Sequence, residues 1–362
     1  MKRFFTVLLL LLVCLSLSGC TELLSAFEDK LTLPDRAVVL PAAIPDEFSD
    51  LDPTLLTDTE DLYFSVIDTD GPAAQYEAFC DAVASTDTAV IVTELTTGGY
   101  TRRMIEKAKS AGIPLVFCGA QPAGSVMESY DNSWYIGFDS SHAKELQAQL
   151  FVDAFHSRTL SDQDGDYKLS CLFAGTHTSP EEAAHWNSTV TRNMRLGGIS
   201  CSDAAAPVTA ADPDALSASL EQLLLTHKTA LPTEAPADNE EVTTEEPLII
   251  YAEAPPQTTA ELFLCADTAA SEAIIAFLPR LADEGSLAGR NYGIVCCGDS
   301  AVIRDAIEDG TVLGTVVKEK EQSTAAIRVV CRNLAKQQAV FKDTDYHFSD
   351  GKYLIFNYAI IQ

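Results

Sequence analysis

The stretch Met104-Ile-Glu-Lys-Ala-Lys-Ser-Ala-Gly-Ile-Pro-Leu-Val-Phe-Cys118 joins an amphipathic segment to a short apolar run. In its first half Met104, Ile105 and Ala108 share one face at helical spacing, and the following glycine is a typical helix stop. The apolar run over 113–118 predicts a buried strand. A helix that leads directly into a buried strand is the repeating unit of α/β proteins, so this stretch predicts a parallel sheet.

The same alternation continues on both sides of this stretch, from residue 36 to the end of the chain. The predicted strands are Val38–Pro41, Leu62–Ile67, Thr88–Thr93, Ile113–Cys118, Trp134–Phe138, Leu169–Ala174, Leu262–Cys265, Tyr292–Cys297, Val312–Lys318 and Tyr353–Ile361. The predicted helices are Tyr100–Ala111, Ser141–His156, Pro180–Leu196, Ala270–Leu281, Ala301–Glu308 and Gln322–Gln337. With 362 residues, 47% of them hydrophobic, the chain is long enough for two domains.

The first twenty residues have the composition of an export signal. Two basic residues precede an apolar run from Phe4 to Leu17, which is short for a membrane span. The run ends at Leu17-Ser-Gly-Cys20, which resembles a bacterial lipobox. That resemblance implies a signal peptide over 1–19, lipidation of Cys20 and a tether over 20–35 that anchors the protein to the extracytoplasmic face of the cell membrane. The alternative is an ordinary signal peptide with an incidental cysteine.

The chain is strongly acidic, with 53 Asp and Glu against 24 Lys and Arg and a formal net charge of −29. Such a charge repels nucleic acid, so no nucleic-acid partner is expected. The acids are scattered along the chain and indicate a solvated surface. Segment 229–259 differs because it contains five prolines, seven acids and no Lys or Arg, which predicts a mobile acidic insertion.

Eight of the ten cysteines lie beyond residue 20. An exported protein can pair its cysteines in disulfides. Several of these residues lie in predicted strand cores, however, where cysteine acts as a small apolar side chain. We therefore favour free buried thiols, with disulfide pairing as the alternative. No Cys or His cluster has the spacing of a zinc site.

The residues around the central helix and strand resemble type I periplasmic solute-binding proteins. The motifs that narrow the resemblance to the galactose/glucose-binding protein group are Gln121-Pro122, Glu128-Ser-Tyr-Asp131, Tyr135-Ile-Gly137, Asp139-Ser140, Asp164-Gly165, Gly310-Thr-Val-Leu-Gly-Thr-Val316 and Asn357-Tyr358. The resemblance covers roughly 36–362 apart from the insertion. It implies two Rossmann-like α/β lobes with parallel sheets, joined by a three-segment hinge. Ligand would bind between the lobes at the carboxyl ends of the strands, as in open α/β sheets generally.

The resemblance also implies a division of the chain between the two lobes. The N-terminal lobe would comprise 36–138 and 319–339, and the C-terminal lobe 139–318 and 340–362. The three chain crossings would then lie near Phe138, Lys318 and Val340.

The sugar site of the family can be carried over position by position. The matching ligand-binding positions are Asp46, Phe48, Glu181, His185, Asp267 and Asp299. Three departures weaken the match: the family's asparagine after the fourth strand is Gly119, the asparagine of its Asn-Asp pair is Ala266, and its arginine is His185, which cannot form a bidentate guanidinium fork. The loop with Asp46 and Phe48 can alternatively be a solvated loop with one buried aromatic ring. The losses predict that glucose and galactose are not bound tightly.

The family's calcium loop corresponds to Leu160–Lys168 in this chain. Its candidate metal ligands are Asp162, Asp164, Asp166 and the distant Glu261. An apolar Leu160 at the first ligand position and a cationic Lys168 at the ninth favour an acidic turn without metal, and calcium is the alternative. No cofactor is required.

The sequence contains no nucleophile elbow, phosphate-binding loop or zinc-protease motif, so it does not indicate an enzyme. The favoured function is a monomeric, lipid-anchored protein that captures a small polar solute, a sugar or sugar-like molecule, for an ABC permease. One alternative is a receptor that presents its ligand to a membrane sensor. The other is a surface interaction lipoprotein that has kept the fold and lost sugar binding.

Overall fold

The computed structural model describes residues 35–44, 49–96, 99–162, 165–176, 178–202, 206–225, 227–230, 251–254, 260–284 and 292–362. The predicted signal peptide, Cys20 and nearly all of the predicted tether lie outside the described residues. Three of the predicted site residues, Asp46, Phe48 and Asp164, also lie outside them, as does most of the acidic insertion.

Strands and helices alternate along the described chain. The strands are β1 (Asp35–Leu40), β2 (Leu62–Val66), β3 (Thr88–Leu95), β4 (Leu115–Gly119), β5 (Ser133–Phe138), β6 (Cys171–Gly175), β7 (Val208–Thr209), β8 (His227–Ala230), β9 (Tyr251–Ala254), β10 (Leu262–Cys265), β11 (Gly293–Cys297), β12 (Gly314–Val317), β13 (Tyr353–Phe356) and β14 (Ala359–Ile361). The helices are α1 (Pro72–Ala84), α2 (Thr101–Ala111), α3 (Gly124–Met127), α4 (Ser140–His156), α5 (Pro180–Leu196), α6 (Pro213–Leu224), α7 (Thr268–Glu284), α8 (Ala301–Glu308) and α9 (Lys320–Ala335), and a 3-10 turn covers Pro53–Leu55.

The strands form two six-stranded sheets. The first has the order β13-β5-β4-β3-β1-β2, and all of its neighbours are parallel. The second has the order β14-β12-β11-β10-β6-β7 and is parallel except for β14, which pairs antiparallel with β12. Within the described part of the insertion region, β8 and β9 form an antiparallel ribbon. Strands such as β5, which is buried along its whole length, are typical of parallel sheets covered on both faces.

Each sheet is the centre of a separate lobe with helices on both faces. In the first lobe α1 and α2 pack on one face and α9 packs on the other. In the second lobe α6, α7 and α8 cover one face, while α4 and α5 cover the opposite face. The predicted fold of two α/β lobes with parallel sheets is confirmed. None of the helices in the described ranges is long and apolar enough to cross a membrane.

The chain passes between the lobes at 139, at 318–319 and at 357–358. The prediction of a third crossing near Val340 is therefore wrong, since residues 340–356 belong to the first lobe. The Asn333 side-chain amide in α9 donates hydrogen bonds to the carbonyls of Val340 (3.0 Å) and Lys342 (2.9 Å), and Val340 is buried in the first core. The single strand predicted over Tyr353–Ile361 is two strands, and each of them lies in a different sheet.

Candidate ligand-binding site

A cavity of about 160 Å³ lies where the carboxyl ends of β6, β10, β11 and β12 approach the three chain crossings. Its lining residues are Ser140, Thr178, Glu182, Trp186, Ala266, Asp267, Thr268, Cys297, Gly298, Val316, Val317, Lys318 and Tyr358. This is the end of an open α/β sheet at which ligands generally bind. We refer to this space as the cleft cavity.

The indole ring of Trp186 forms one wall of the cleft cavity and is fixed by its neighbours. Its Nε1 donates a hydrogen bond to Oε1 of Gln147 (2.8 Å), and Nε2 of Gln147 donates to the carbonyl of Cys265 (3.0 Å). The ring also packs at a tilt against Phe173, with centroids 6.2 Å apart. Because the ring is anchored to β10 and β6, it presents a preorganised aromatic surface to the cavity.

Two ionisable side chains lie beside this ring. The ammonium of Lys144, on α4, lies 5.1 Å from the centre of the Trp186 ring in a cation–π contact. Burial lowers the pKa of Lys144, while the carboxylates of Glu182 and then Asp139 act in the opposite direction. Glu182 itself, in the first turn of α5, lines the cavity.

The cavity floor is an ion pair that joins a crossing segment to the first lobe. The Lys318 ammonium donates to Oδ1 of Asp50 at 2.7 Å, and the Asp50 side chain is only 4% exposed. The other carboxylate oxygen of Asp50 accepts from the backbone N–H of Gly119 (3.1 Å). The ammonium also lies 5.9 Å from the ring centre of Phe138, at the end of β5. The pair therefore brings two crossings and the end of β4 together.

A second buried carboxylate lies behind Asp50. Glu94, on β3, is 1% exposed and accepts hydrogen bonds from the backbone N–H groups of Ala42 (3.1 Å) and Asp50 (2.7 Å) and from Oγ of Ser49 (2.8 Å). Burial is the main cause that raises the pKa of Glu94, and the charge of Asp50 adds to it. Glu94 thus holds the two described ends of the loop that contains Asp46.

The third crossing contributes Tyr358 to the cavity lining. Its ring packs edge-on against Phe138 with centroids 5.6 Å apart, and its backbone N–H donates to Nδ1 of His142 (3.2 Å). Burial, followed by the charges of Cys297 and Asp50, raises the pKa of Tyr358 well above its ordinary value. The phenol is therefore a neutral hydrogen-bonding group at physiological pH.

The structure places two of the predicted ligand residues, Asp267 and Asp299, at this end of the second sheet. Asp267 lines the cavity, but its carboxylate accepts from N and Oγ1 of Thr176 (2.7 and 2.9 Å) and from the N–H of Ala270 (2.7 Å). Asp299 is exposed, pairs with Arg304 and lines an adjoining space of about 270 Å³ together with Lys318. Both carboxylates therefore have partners within the protein.

The other two described candidates, Glu181 and His185, are exposed on α5 and do not belong to the cavity lining. The residues one position further along, Glu182 and Trp186, face the cavity instead. The helix is oriented by its buried face, which includes Ala183 among other residues and packs on the second sheet. The sequence located the start of this helix but not its rotation about its axis.

Sequence reasoning did not assign Lys144, Asp50, Lys318 or Tyr358 to the site. The sequence places Lys318 at a chain crossing but does not indicate a contact with ligand. Nothing in the local pattern around Asp50 distinguishes this residue from other acidic loop residues. The available signal was position, because Lys318 is the last residue, at the carboxyl end, of the predicted strand Val312–Lys318.

The predicted calcium ligands that are described have other roles. The Asp162 carboxylate accepts from the N–H groups of Gly165 (2.7 Å) and Tyr167 (2.6 Å), which shapes the turn, and Asp166 accepts from Lys168 N (2.8 Å). Glu261 is fully buried and accepts from Ser170 N at 2.9 Å. Among the described residues no group of three or more His, Cys, Asp or Glu could hold a metal ion. Asp164 lies outside the described residues, and calcium binding that includes it stays the untested alternative to a turn without metal.

A larger cavity of about 720 Å³ lies at the opposite end of the first sheet, where the strands begin. Its lining includes Trp134, near the start of β5, and residues 334–335 and 337–340. It is remote from the crossings and from the carboxyl ends of the strands, and we assign it no ligand.

No family model matches the chain. Solved structures do resemble it over 91% of its length. An ABC transporter periplasmic solute-binding protein from Actinobacillus succinogenes with bound D-allose is 10% identical, has a TM-score of 0.60 and is covered over 98% of its length. An ABC transporter solute-binding protein from Burkholderia graminis in complex with D-arabinose is 9% identical, with a TM-score of 0.60 and 95% coverage.

A glucose-galactose binding protein from Geobacillus stearothermophilus is also similar, with 10% identity, a TM-score of 0.55 and 98% of its length covered. At these identities the likeness establishes the fold, which is that of two-lobed periplasmic solute-binding proteins. The ligands named for these proteins are theirs, and the cleft of this chain has to be interpreted from its own residues.

Proposed function

We propose that this protein is an extracytoplasmic solute-binding protein that captures a small polar ligand, a sugar or sugar-like molecule, and delivers it to an ABC importer. The observation that carries the proposal is the fixed Trp186 ring at the carboxyl ends of the second-lobe strands, beside all three crossings. A rigid aromatic surface with polar groups around it matches a sugar, which has apolar C–H faces and a rim of hydroxyls.

The arrangement of the crossings supports a binding cycle with hinge closure. The cleft cavity belongs mainly to the second lobe, and the floor pair Lys318–Asp50 connects it to the first lobe. A ligand seated on the second lobe can therefore bring the first lobe over it by small backbone rotations at three short segments. The closed form would be the one that the permease recognises.

Membrane attachment is a separate part of the proposal. The lipobox-like sequence ending at Cys20 supports a lipid anchor, and the short distance from Cys20 to β1 would keep the lobes near the membrane surface. The protein would act as a monomer, without a cofactor and without nucleic acid.

The test is a thermal-shift screen of the chain from residue 21 onward against pentoses, hexoses, sugar alcohols, nucleosides and amino acids. A ligand at a hundredfold excess over its dissociation constant adds about 2.7 kcal/mol to stability, which raises the melting temperature by several degrees. We expect a shift with a sugar or sugar alcohol, and only a weak response to glucose and galactose. No shift across the panel would favour the surface interaction lipoprotein.

The Trp186→Ala variant tests the observation on which the proposal rests. We expect it to bind the active sugar roughly tenfold or more weakly, because the aromatic surface is lost. The matched control is Trp134→Phe, which changes the other tryptophan, at the far end of the first lobe, and should leave affinity unchanged. Equal affinity of Trp186→Ala and the unmodified protein, measured by calorimetry, would refute a ligand site at this wall.

A further inference from the structure

The environment of Lys144 is unusual for a lysine. The residue is only 9% exposed, yet its side-chain ammonium makes no hydrogen bond or ion pair with any described residue. Most of the side chain is covered, but Nζ is not among the fully buried polar atoms that lack a partner, so the ammonium still meets solvent. The contact with the Trp186 ring compensates part of the charge but uses none of the three N–H donors.

The carboxylate of Glu182 is complementary to this ammonium. Of the charged groups that act on Lys144, Glu182 has the largest effect, but the two do not form an ion pair. Glu182 lines the cleft cavity, and its side chain makes no hydrogen bond to any other described residue. A donor group and an acceptor group thus lie on neighbouring helices, α4 and α5: Glu182 lines the cavity, and Lys144 contacts the Trp186 ring of the cavity wall.

The other charges around the cavity are already satisfied. Asp267 accepts three hydrogen bonds, Asp299 pairs with Arg304, and Lys318 pairs with Asp50. Among the described residues, this leaves the Glu182 carboxylate in the cavity lining and the Lys144 ammonium in contact with the lining ring of Trp186. A ligand with a net negative charge would be repelled by the carboxylate, and one with a net positive charge by the ammonium, so the complementary ligand has no net charge and carries both acceptors and donors. A zwitterion and a sugar both meet this condition, and the aromatic surface of Trp186 favours the sugar.

We propose that Lys144 and Glu182 are specificity-determining residues that together hold two adjacent hydroxyl groups of a neutral sugar beside the Trp186 ring. The ammonium donates to the oxygen of one hydroxyl, and the neighbouring hydroxyl donates to the carboxylate. This inference rests on the proposed function. The family's arginine corresponds to His185, which is exposed here. In this proposal the positive charge comes instead from Lys144, on the adjacent helix α4.

The experiment measures affinity by calorimetry for D-allose, D-arabinose, D-ribose and D-fucose. The variants are Lys144→Met, which keeps an apolar stem against the indole, Glu182→Gln, and the double variant. Each single change should weaken binding by about tenfold to a hundredfold, the loss of one hydrogen bond to a charged group. The double variant should lose less than the product of the two, since both groups hold the same diol.

Two matched controls separate the site from general charge effects. Glu181→Gln changes the adjacent acid outside the cavity lining, and Lys342→Met changes an exposed lysine of the first lobe. Both should bind like the unmodified protein. Monodeoxy analogues of the bound sugar give a further criterion: the analogue without the hydroxyl that meets Lys144 should bind weakly to the unmodified protein and equally weakly to Lys144→Met.

The possible results are distinct. If the unmodified protein binds a sugar and Lys144→Met binds it equally well, while its melting temperature falls, Lys144 has only a structural role and the inference is overturned. The same holds if Glu181→Gln weakens binding and Glu182→Gln does not. If the unmodified protein binds no sugar of the panel, it is the proposed function that fails.

Discussion

Glu94 shows how a single buried side chain can organise a binding loop. Its carboxylate is almost inaccessible and receives three hydrogen bonds, two of them from backbone groups at opposite ends of the loop after β1. These bonds stabilise the ionised form, but desolvation has the larger effect, so the pKa is raised above the ordinary value of 4.5. The group is therefore a source of pH dependence at the edge of the cleft.

Replacing Glu94 by Gln should change the pH dependence of stability. Because the folded pKa is raised, the stabilising contribution of Glu94 is fully present below pH 4.5 and is lost as the pH rises through the folded pKa. The variant lacks this titration, so its free energy of unfolding, relative to that of the unmodified protein, should increase from pH 4 to pH 7, which means that the variant becomes relatively more stable. Urea unfolding at several pH values measures this. If the free energy of unfolding of Glu94→Gln and that of the unmodified protein change with pH in parallel, the prediction is wrong. Glu106→Gln, on the exposed face of α2, is the control.

Cysteine reactivity should follow burial. None of the eight described cysteines forms a disulfide. Burial raises the thiol pKa of Cys118, Cys171 and Cys331, which leaves almost no thiolate at neutral pH. We expect iodoacetamide to modify the half-buried Cys80 and Cys297 first, as located by peptide mass spectrometry.

Cys297 lines the cleft cavity, so a bound ligand should slow its modification and leave that of Cys80 unchanged. Equal protection of both cysteines would indicate a general stabilisation of the fold and not occupation of the cavity.

At the scale of helices and strands, the sequence predicted the elements with a strong local signal. The helix α5 begins at Pro180 as the Ser-Pro-Glu-Glu pattern indicates, and Ser179 Oγ accepts the N–H of Glu182 at 3.3 Å. The helices α1 and α6 were not predicted. The buried side chains of α1 are only Gln75, Phe79 and Ala82, so its apolar periodicity is too weak to distinguish it from a loop.

The rotation of a helix and the sheet to which a strand belongs depend on tertiary packing. The sequence of 353–361 predicts one strand because six of its nine residues are β-branched or aromatic. The segment becomes two strands because its first half pairs with β5 in the first sheet and its second half pairs with β12 in the second sheet. Local pattern carries no information about these partners, which are more than 40 residues away for each half.

Gly137 in β5 is a position where the element tolerates no side chain. A Cβ at this position would collide with the hydroxyl of Tyr135 and lie 2.8 Å from Oδ2 of Asp50. We expect Gly137→Ala to destabilise the protein by about 1–3 kcal/mol through overpacking. Tyr135→Phe removes one colliding atom, so the double variant should recover part of the loss. Urea unfolding checks this, and a double variant no more stable than Gly137→Ala would contradict it.

For the whole molecule the decisive contact joins residues that are 268 positions apart, Asp50 and Lys318. No local pattern predicts such a pair, and for this reason the floor of the site was missed although the fold was predicted. The pair links the first lobe to the second crossing, so it contributes to the geometry between the lobes as well as to stability.

Removal of Lys318 should be costly. In Lys318→Met the buried carboxylate of Asp50 loses its cation and lies near Glu94, so we expect a loss of roughly 2–4 kcal/mol at pH 7. The loss should be smaller at pH 4, because the raised pKa of Glu94 keeps that neighbouring carboxyl protonated there, so it no longer repels Asp50. Urea unfolding at both pH values measures it. A loss that is the same at pH 4 and pH 7 would argue that Lys318 contributes by packing alone, and Lys342→Met is the exposed control.

The chain has two tryptophans, and they lie at remote places: Trp134 at the amino ends of the first-sheet strands and Trp186 at the carboxyl ends of the second. Intrinsic fluorescence of this protein therefore has a built-in reference. A solute entering between the lobes alters the surroundings of one emitter and spares the other, so a spectral change on titration can be assigned to a lobe without any label.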